Sequence, residues 1–493
     1  MTRIDNLNSW HSDWRGLRVV VLGLGVTGFS VADTLCELGA EVLVLAERAE
    51  PELEDVLDVI GVRHLTGAKV DLSNEASFPA ELIEFEAQLV ITSPGFKPQH
   101  PLIQWAERSG LPLWIDVDLA WRLRDKTARV AEWFVVTGTN GKTTTCQMLE
   151  AIFLQNDMRS TACGNIGKPI LDAIRDPEGF DALVVELSSF QLHYLGAISP
   201  YSSVVLNLAD DHLDWHGSFD AYRDAKAKIY ENTRIACVYN VQDSATETLV
   251  ENADVVEGAR AIGFSLGAPA RSQVGFVEDI LCDRAFIENR QDEALEIATI
   301  DDLSHIGVLT PHLMANVAAA TALARSFEVP ASIIREALRA FRLDAHRIDV
   351  VAKHSGITWI DDSKATNPHA AAASLASFES VVWIVGGLLK GVDLTDLVAK
   401  FAPTLKAAVI IGADRADLLA IFAKVASEVP IFEVQAKSGL AVMTGAVEFA
   451  SQLAVDGDTV LLAPAAASMD QFKDYEDRGQ AFAVAVQEHL GKS

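Results

Sequence analysis

The stretch Thr137-Gly138-Thr139-Asn140-Gly141-Lys142-Thr143-Thr144 constrains this chain more than any other feature, because it lies between an apolar run and an amphipathic segment. Trp133-Phe134-Val135-Val136 reads as a buried strand, and Cys146, Leu149, Ile152 and Phe153 recur at helical spacing afterwards. The glycines therefore open a helix, where free backbone N–H groups and the positive end of the helix dipole face outward. Gly138, Asn140 and Gly141 would cradle the phosphates of a nucleoside triphosphate. Lys142 would reach the terminal phosphates, and Thr143, followed by Thr144, would hold Mg²⁺. A full G-x-x-x-x-G-K-[ST] pattern needs glycine where Val136 stands, so the loop is a variant with its own core.

Size and charge narrow the ligand further. A chain of 493 residues suffices for about three domains of ordinary size, and a hydrophobic content of 49% argues against global disorder. The formal net charge of −29 argues against nucleic acid or an anionic membrane as partner, so an anionic ligand needs local positive charge. Cys36, Cys146, Cys163, Cys237 and Cys282 form no C-x-x-C pair and fit free thiols in a reducing compartment. The first eighteen residues lack a secretory apolar core, and no apolar span is long enough for a bilayer. The expectation is a soluble cytoplasmic protein without stable membrane insertion.

Three α/β blocks follow one another, each opening with an apolar run, glycine and a helical pattern. The first begins at Leu17 to Leu22, has a helix to about Leu38, and adds strands at Glu41 to Leu45 and Gln88 to Thr92. The charged stretch Arg122 to Lys126 reads as its boundary. The second contains the phosphate loop and strands at Asp181 to Glu186 and Ser203 to Asn207, and closes with helices Ala315 to Phe327 and Ala331 to Phe341. Between about Val241 and Ser304 the polar pattern fixes no order of elements. The third starts near His346, with strands at Ile357 to Ile360, Val381 to Val385, Ala408 to Ile411 and Val460 to Leu462. The expected domains are 1–127, 128–345 and 346–493, with mostly parallel sheets that bind ligands beyond the carboxyl ends of their strands.

Polar motifs fall at those ends. Gly23-x-Gly25-x-x-Gly28, with Glu47 after the second strand, fits a diphosphate at a helix start; a nicotinamide oxidoreductase is the rival reading. Glu186 ends a strand near the phosphate loop, where a carboxylate can hold Mg²⁺. Asn207 to His216 is dense in His and Asp. In the helix expected from Phe219 to Tyr230, capped by Ser218, Lys226 shares a face with Phe219, Tyr222, Ile229 and Tyr230, while Lys228 lies opposite. Burial would leave Lys226 a neutral amine able to take up carbon dioxide as a carbamate; periodicity alone favours a lysine that reaches water instead. In the third block, Asp361 to Pro368 and Gly386 to Asp393 each follow a strand and combine helix-start amides with a lysine. Asn367 is the expected cap and Pro368 the first helical residue.

Taken together these residues resemble the Mur ligases, ATP-dependent amide-bond formers of peptidoglycan precursor synthesis, over essentially the whole chain. Thr137 to Thr143 is similar to the family's ATP loop, Asp362 to Asn367 to its third-domain motif, and His346-Arg347 to the pair opening that domain. Glu186-Leu-Ser-Ser-Phe-Gln191 and Gly164-Asn165-Ile166-Gly167 resemble most the branch that adds D-glutamate to UDP-N-acetylmuramoyl-L-alanine; a sister ligase adding another amino acid is the alternative. The resemblance implies a Rossmann-like N-terminal domain, a P-loop-type central ATPase domain and a Rossmann-like C-terminal domain in a monomer. Val26, Thr27, Glu47, Arg48, Ser93 and Gly95 would surround the UDP-sugar, with Asn165, Ser188 and His212 also on the substrate side. Lys142, Glu186, His212 and Lys226 would be catalytic. Thr143, Glu186, His212 and a carbamylated Lys226 would hold two Mg²⁺ ions, and Asn316, Arg347 and Asp362 would contact ATP. Lys364, Thr366, Lys390, Ser468 and Tyr475 would receive D-glutamate. Leu313 replaces an asparagine of the family's H-N-x-x-N stretch, Asp349 stands where glutamate is usual, and Tyr475 where phenylalanine is familiar.

Overall fold

The first apolar run forms strand β1 (Arg18–Leu24) at the centre of a five-stranded sheet in the order β3-β2-β1-β4-β5. Its companions are β2 (Glu41–Ala49), β3 (Arg63–Thr66), β4 (Leu89–Thr92) and β5 (Leu113–Trp114), all paired in parallel. Both faces of β1 are buried, which explains why Val19, Val20, Val21 and Leu22 are continuous rather than alternating. The computed structural model describes residues 3–49, 51–67, 70–306, 308–343, 346–389 and 391–491. The chain divides into two compact units, Met1–Thr299 with Ala315–Leu338 and Ile300–Met314 with Arg339–Ser493.

The second sheet, also in the first unit, has the order β14-β13-β12-β11-β10-β9-β6-β8-β7. Strands β6 (Glu132–Thr137), β7 (Ser160–Gly164), β8 (Ala182–Glu186), β9 (Ser202–Val205), β10 (Ala236–Asn240), β11 (Arg260–Phe264) and β12 (Gln273–Val277) run parallel. Two antiparallel strands, β13 (Ile280–Asp283) and β14 (Leu295–Thr299), finish one edge. These edge strands lie in the stretch that the sequence left unordered. Val277 pairs with Ile280 across a Glu278-Asp279 turn whose Glu278 has φ 54°, a conformation usually signalled by Asn or Gly. One apolar core runs from the inner face of the first sheet, through Val117 and Leu123 of the connecting helix Asp116–Leu123, to Trp133, Val135 and Leu183 of the second.

In the second unit the sheet order is β15-β16-β20-β17-β18-β19, built from β15 (Asp349–His354), β16 (Ile357–Asp361), β17 (Val381–Gly386), β18 (Leu405–Ile411), β19 (Ile431–Glu433) and β20 (Thr459–Leu462). Only β15 is antiparallel, folding back through Ser355-Gly356. Separate apolar clusters cover the sheet's two faces, one around Trp383 and Phe422 and the other around Trp359 and Phe482. Asn367 caps the helix Pro368–Leu375 by accepting from Ala370 N, as its sequence predicts. The helix expected from Ala315 begins earlier, at Pro311, and the next spans Ala331–Ala340.

Candidate active site

Strand β6 delivers the chain into the phosphate loop, which enters the helix Lys142–Gln155. Two glycines have backbone reasons to be there. Gly138, at φ 156°, leaves room for Leu206, whose Cβ would lie 2.9 Å from an added Cβ; Gly141, at φ 86°, is the N-cap and abuts the Asn316 side chain. Asn140 N donates to Asn207 Oδ1 at 2.9 Å, while Asn207 Nδ2 donates to Asn140 O at 3.0 Å, fixing the loop to the end of β9.

Two lysines converge on this loop. Lys142 Nζ donates to Gly138 O and Thr139 O, each at 2.8 Å, and Lys226 Nζ donates to Gly138 O at 2.9 Å and Thr137 Oγ1 at 3.1 Å. Lys226 is only 1% exposed, so it does not reach water as periodicity alone suggested. The Tyr222 ring, its centroid 4.9 Å from Nζ, blocks that route. Burial, with Lys142 as a like charge, holds the Lys226 ammonium well below the usual lysine range. The helix behind this placement is Phe219–Ala227, capped by Ser218 and ending in a 3-10 turn from Lys228 to Tyr230. Lys228 instead donates to His193 O at 2.6 Å.

Glu186, 2% exposed at the end of β8, accepts from Thr143 Oγ1 and Asn165 Nδ2, both at 2.9 Å. Gly164 permits that approach, since a Cβ there would lie 2.6 Å from Glu186 O. A buried carboxylate met by a hydroxyl and a neutral amide is an oxygen-donor set that suits Mg²⁺, which completes its shell with phosphate oxygens and water. Among the described residues no three His, Cys, Asp or Glu side chains form a ready metal cage, so a cation here would depend on the nucleotide for ligands.

His212 occupies the left-handed region at φ 53° and packs tilted against Phe190, with ring centroids 4.6 Å apart and planes at 58°. Burial lowers its pKa; Asp211 opposes this, and Lys142 and Lys226 reinforce it. Nearby His216 Nε2 lies 3.0 Å from Ser189 Oγ, and burial, with His193 and His212, pulls its pKa down to about 4. Both imidazoles are thus favoured as neutral groups. Ser188 is an N-cap: its Oγ accepts from Gln191 N at 3.2 Å, and Gln191 Oε1 accepts from Ser188 N at 3.0 Å. The S-x-x-Q spacing of Ser188 and Gln191 is the sequence signature of this capping box.

In the first sheet, Val26, Thr27, Glu47, Arg48, Ser93 and Gly95 gather at the carboxyl ends of β1, β2 and β4. Val26 is 67% exposed at the helix start, whereas Gly28 is buried against Gly23 O. The following loop is tied to the central region: Tyr194 Oη donates to Phe96 O at 2.8 Å, and Lys97 Nζ donates to Asp214 O at 2.9 Å.

The third-sheet motifs also gather at one strand end. Asp362 accepts from Ser374 Oγ, and burial, opposed by that bond and Arg347, pushes its carboxyl up to about 6. Lys364 Nζ lies 3.8 Å from the Tyr475 ring centroid, and Ala465 N donates to Ala365 O at 2.9 Å, joining the motif carrying Thr366 to the segment leading to Ser468. Leu388 and Ala467 exchange backbone bonds of 2.9 and 3.2 Å. Lys390 lies outside the described residues. The sequence reading missed Arg478, fully buried, which donates to Ser363 Oγ at 2.9 Å, Ser363 O at 2.8 Å and Ala466 O at 3.1 Å. It also missed Tyr222, whose hydroxyl lies 2.8 Å from Thr139 Oγ1. An arginine on an amphipathic helix and a tyrosine on an apolar face gave no separate signal.

Comparison with known proteins accounts for this arrangement. The Mur ligase MurD-like N-terminal domain matches residues 17–114, the Mur ligase middle domain 136–324, and the Mur ligase glutamate ligase domain 346–466. A protein of Leifsonia xyli subsp. xyli named UDP-N-acetylmuramoylalanine–D-glutamate ligase is 56% identical, covering 99% of this chain and 96% of that protein. A protein of the same name from Streptomyces avermitilis is 51% identical, covering 96% and 99%. The fold is similar to that of the UDP-N-acetylmuramate-alanine ligase MurC from Thermotoga maritima, with TM-score 0.55 at 18% identity over 97% of this chain and 100% of that one. These matches replace the oxidoreductase reading of Gly23 to Gly28: three α/β domains in series, carrying a phosphate loop backed by a buried lysine, belong to the Mur ligase family.

Proposed function

We propose that this chain joins D-glutamate to UDP-N-acetylmuramoyl-L-alanine while ATP is converted to ADP and phosphate, a step of peptidoglycan precursor synthesis in the cytoplasm, acting as a monomer. The observation that carries the chemistry is the convergence of Lys142, Lys226 and Glu186 on one phosphate loop; the amino-acid specificity follows the named relatives. Residues 1–127 take the UDP-sugar, with its diphosphate against the helix start at Val26 and Thr27. Residues 128–345 take ATP, and residues 346–493 take D-glutamate around Lys364, Thr366, Ser468 and Tyr475. Asn316, Arg347 and Asp362 contact the adenosine and phosphates.

The alanyl carboxylate attacks the γ-phosphorus, giving an acyl phosphate and ADP, and the D-glutamate amine then displaces phosphate to form the amide. A carboxylate needs no base for the first step, so the neutral His212 has no proton to remove there. Lys142 leaves Gly138 O for the phosphate oxygens and stabilises the charge that accumulates on them. Glu186 and Thr143 would hold Mg²⁺, whose charge would offset that of the phosphates. Two ions fit the reading if Lys226 is carbamylated: its amine adds to carbon dioxide and loses a proton, creating a second carboxylate-like ligand beside the loop. In the second step an amine must arrive neutral and lose a proton as the C–N bond forms. Exclusion of water protects the acyl phosphate until that attack.

The test is ADP release from purified protein supplied with UDP-N-acetylmuramoyl-L-alanine, ATP and Mg²⁺, with each of several amino acids. D-Glutamate alone should support turnover. Equal rates with another amino acid would remove the specific assignment while leaving the ligase chemistry.

A further inference from the structure

A single substrate has to be held at two places. With its UDP end against the Gly23 turn and its alanyl carboxylate at the phosphate loop, binding at one end can align the other only if the two sheets keep a fixed separation. The helix Ser189–Tyr194 runs between these places. Its six residues span about 9 Å at 1.5 Å per residue.

The root of this helix is fixed to the strand that carries the phosphate loop. Leu187, between Glu186 and the N-cap Ser188, donates from N to Val136 O at 2.9 Å and accepts at O from Thr137 Oγ1 at 2.7 Å. Along the helix Ser189, Gln191 and Leu192 are buried, and Lys228 Nζ holds the last turn by donating to His193 O at 2.6 Å. The tip reaches the first sheet, where Tyr194 Oη donates to Phe96 O at 2.8 Å. Burial raises the pKa of this phenol, so the hydroxyl keeps its proton and stays a donor.

Phe96 closes the turn that sits on the glycine loop of the first sheet. Its N donates to Ser93 O at 3.2 Å, and Ser93 N donates to Leu22 O at 2.9 Å. Both side chains border Gly23, where an added Cβ would lie 2.7 Å from Ser93 Oγ and 3.4 Å from Phe96 Cε2. The turn is thus held to β1 by its own bonds and to the central sheet by Tyr194. The next residue repeats the link at the surface: Lys97 Nζ donates to Asp214 O at 2.9 Å and lies 3.3 Å from Asp214 Oδ2, in the short helix Leu213–His216 that follows His212. Both of those side chains are exposed, so this second tether is the weaker one. We infer that Tyr194 is a positioning residue, whose hydroxyl sets the distance between the turn Ser93 to Phe96 and the phosphate loop, and with it the approach of the alanyl carboxylate to the γ-phosphorus. The inference rests on the ligase reading and adds to it a residue that touches neither reacting group.

Tyr194→Phe keeps the ring against Trp215 and removes only the hydroxyl. In the full-length protein the dissociation constants for UDP and for ADP, titrated separately by calorimetry, should stay within about twofold of wild type, because the turn keeps its bonds to β1 and the phosphate loop is untouched. At saturating UDP-N-acetylmuramoyl-L-alanine, ATP and D-glutamate, kcat for ADP release should nevertheless fall about tenfold, as a small misplacement of reacting groups produces. A tyrosine that only supported the fold would lower the thermal midpoint without this split between binding and turnover. A kcat within about twofold of wild type would overturn the inference; so would UDP binding weakened about tenfold, which would put the effect of the hydroxyl in the UDP site itself. If Tyr194→Phe does not fold, Lys97→Met at the surface decides by the same split, with kcat lowered about threefold at unchanged UDP and ADP affinity, and an unchanged kcat there overturns the inference. Wild type that releases no ADP under these conditions removes the ligase reading and the inference with it, whereas wild-type turnover beside an unchanged Tyr194→Phe removes the inference alone.

Discussion

The two glycine loops of the first unit share a strand–glycine–helix plan and differ in what they add to it. At Gly23 to Gly28 the helix start offers backbone amides and an exposed Val26, with no lysine in the turn. At Gly138 to Lys142 the same plan is joined by two lysines, both bonded to Gly138 O. The first loop can hold a diphosphate by dipole and shape; the second can also stabilise charge that develops during transfer. A glycine pattern therefore specifies a way of approaching phosphate, and the neighbouring cations decide whether chemistry follows.

The largest expected effect lies in the second loop. Lys142→Ala should lower ADP release about 10³-fold, as loss of a preorganised charge-stabilising group does, whereas Val26→Ala should leave turnover within about twofold. Equal losses would erase the distinction between the loops. Lys226→Ala should lower turnover about 10²-fold, with partial recovery on adding a short carboxylic acid. Full activity in that variant would remove the carbamate.

In the first loop the expected effects are on folding. A Cβ on Gly28 would lie 2.1 Å from Gly23 O, a backbone atom that cannot swing aside, so Gly28→Ala should cost about 3 kcal/mol in urea unfolding. A Cβ on Gly25 meets nothing within 4 Å, and Gly25→Ala should stay within about 0.5 kcal/mol. Similar costs at both positions would mean that the turn, rather than the close approach, sets the requirement.

The buried amine adds a pH dependence that the first loop lacks. Because the folded-state pKa of Lys226 is depressed, the unfolded chain binds the extra proton between that value and about 10.4. Wild-type stability should thus rise with pH across this window relative to Lys226→Met, and fall as pH drops. Denaturant midpoints measured in carbon-dioxide-free buffer from pH 6 to 10 check the sign; a flat difference would contradict the burial.

Much of the fold was legible because parallel strands covered on both faces are written as continuous apolar runs, such as Val19 to Leu22 and Val381 to Val385. Edge strands carry a weaker signature. β13 and β14 were missed because the Glu278-Asp279 turn lacks the usual hairpin residues, and β15 was missed although Ser355-Gly356 is a turn signal. Site residues followed the same division. Glu186 and Lys142 stand at strand and helix ends that sequence can locate, whereas Arg478 and Tyr222 act through partners distant along the chain: Ser363 is 115 residues from Arg478, and Thr139 is 83 from Tyr222.

The sequence by itself determined the three α/β blocks, the phosphate loop and the candidate ligands, since each rests on local periodicity or on residue types at fixed spacing. Only the tertiary structure decided the state of Lys226. Helical spacing put it on an apolar face, but a flexible lysine on such a face ordinarily reaches water. Tyr222 beneath it and the carbonyl of Gly138 ahead of it, brought together by β6 and the helix Phe219–Ala227, close that route and turn a surface cation into a buried amine at the phosphate loop.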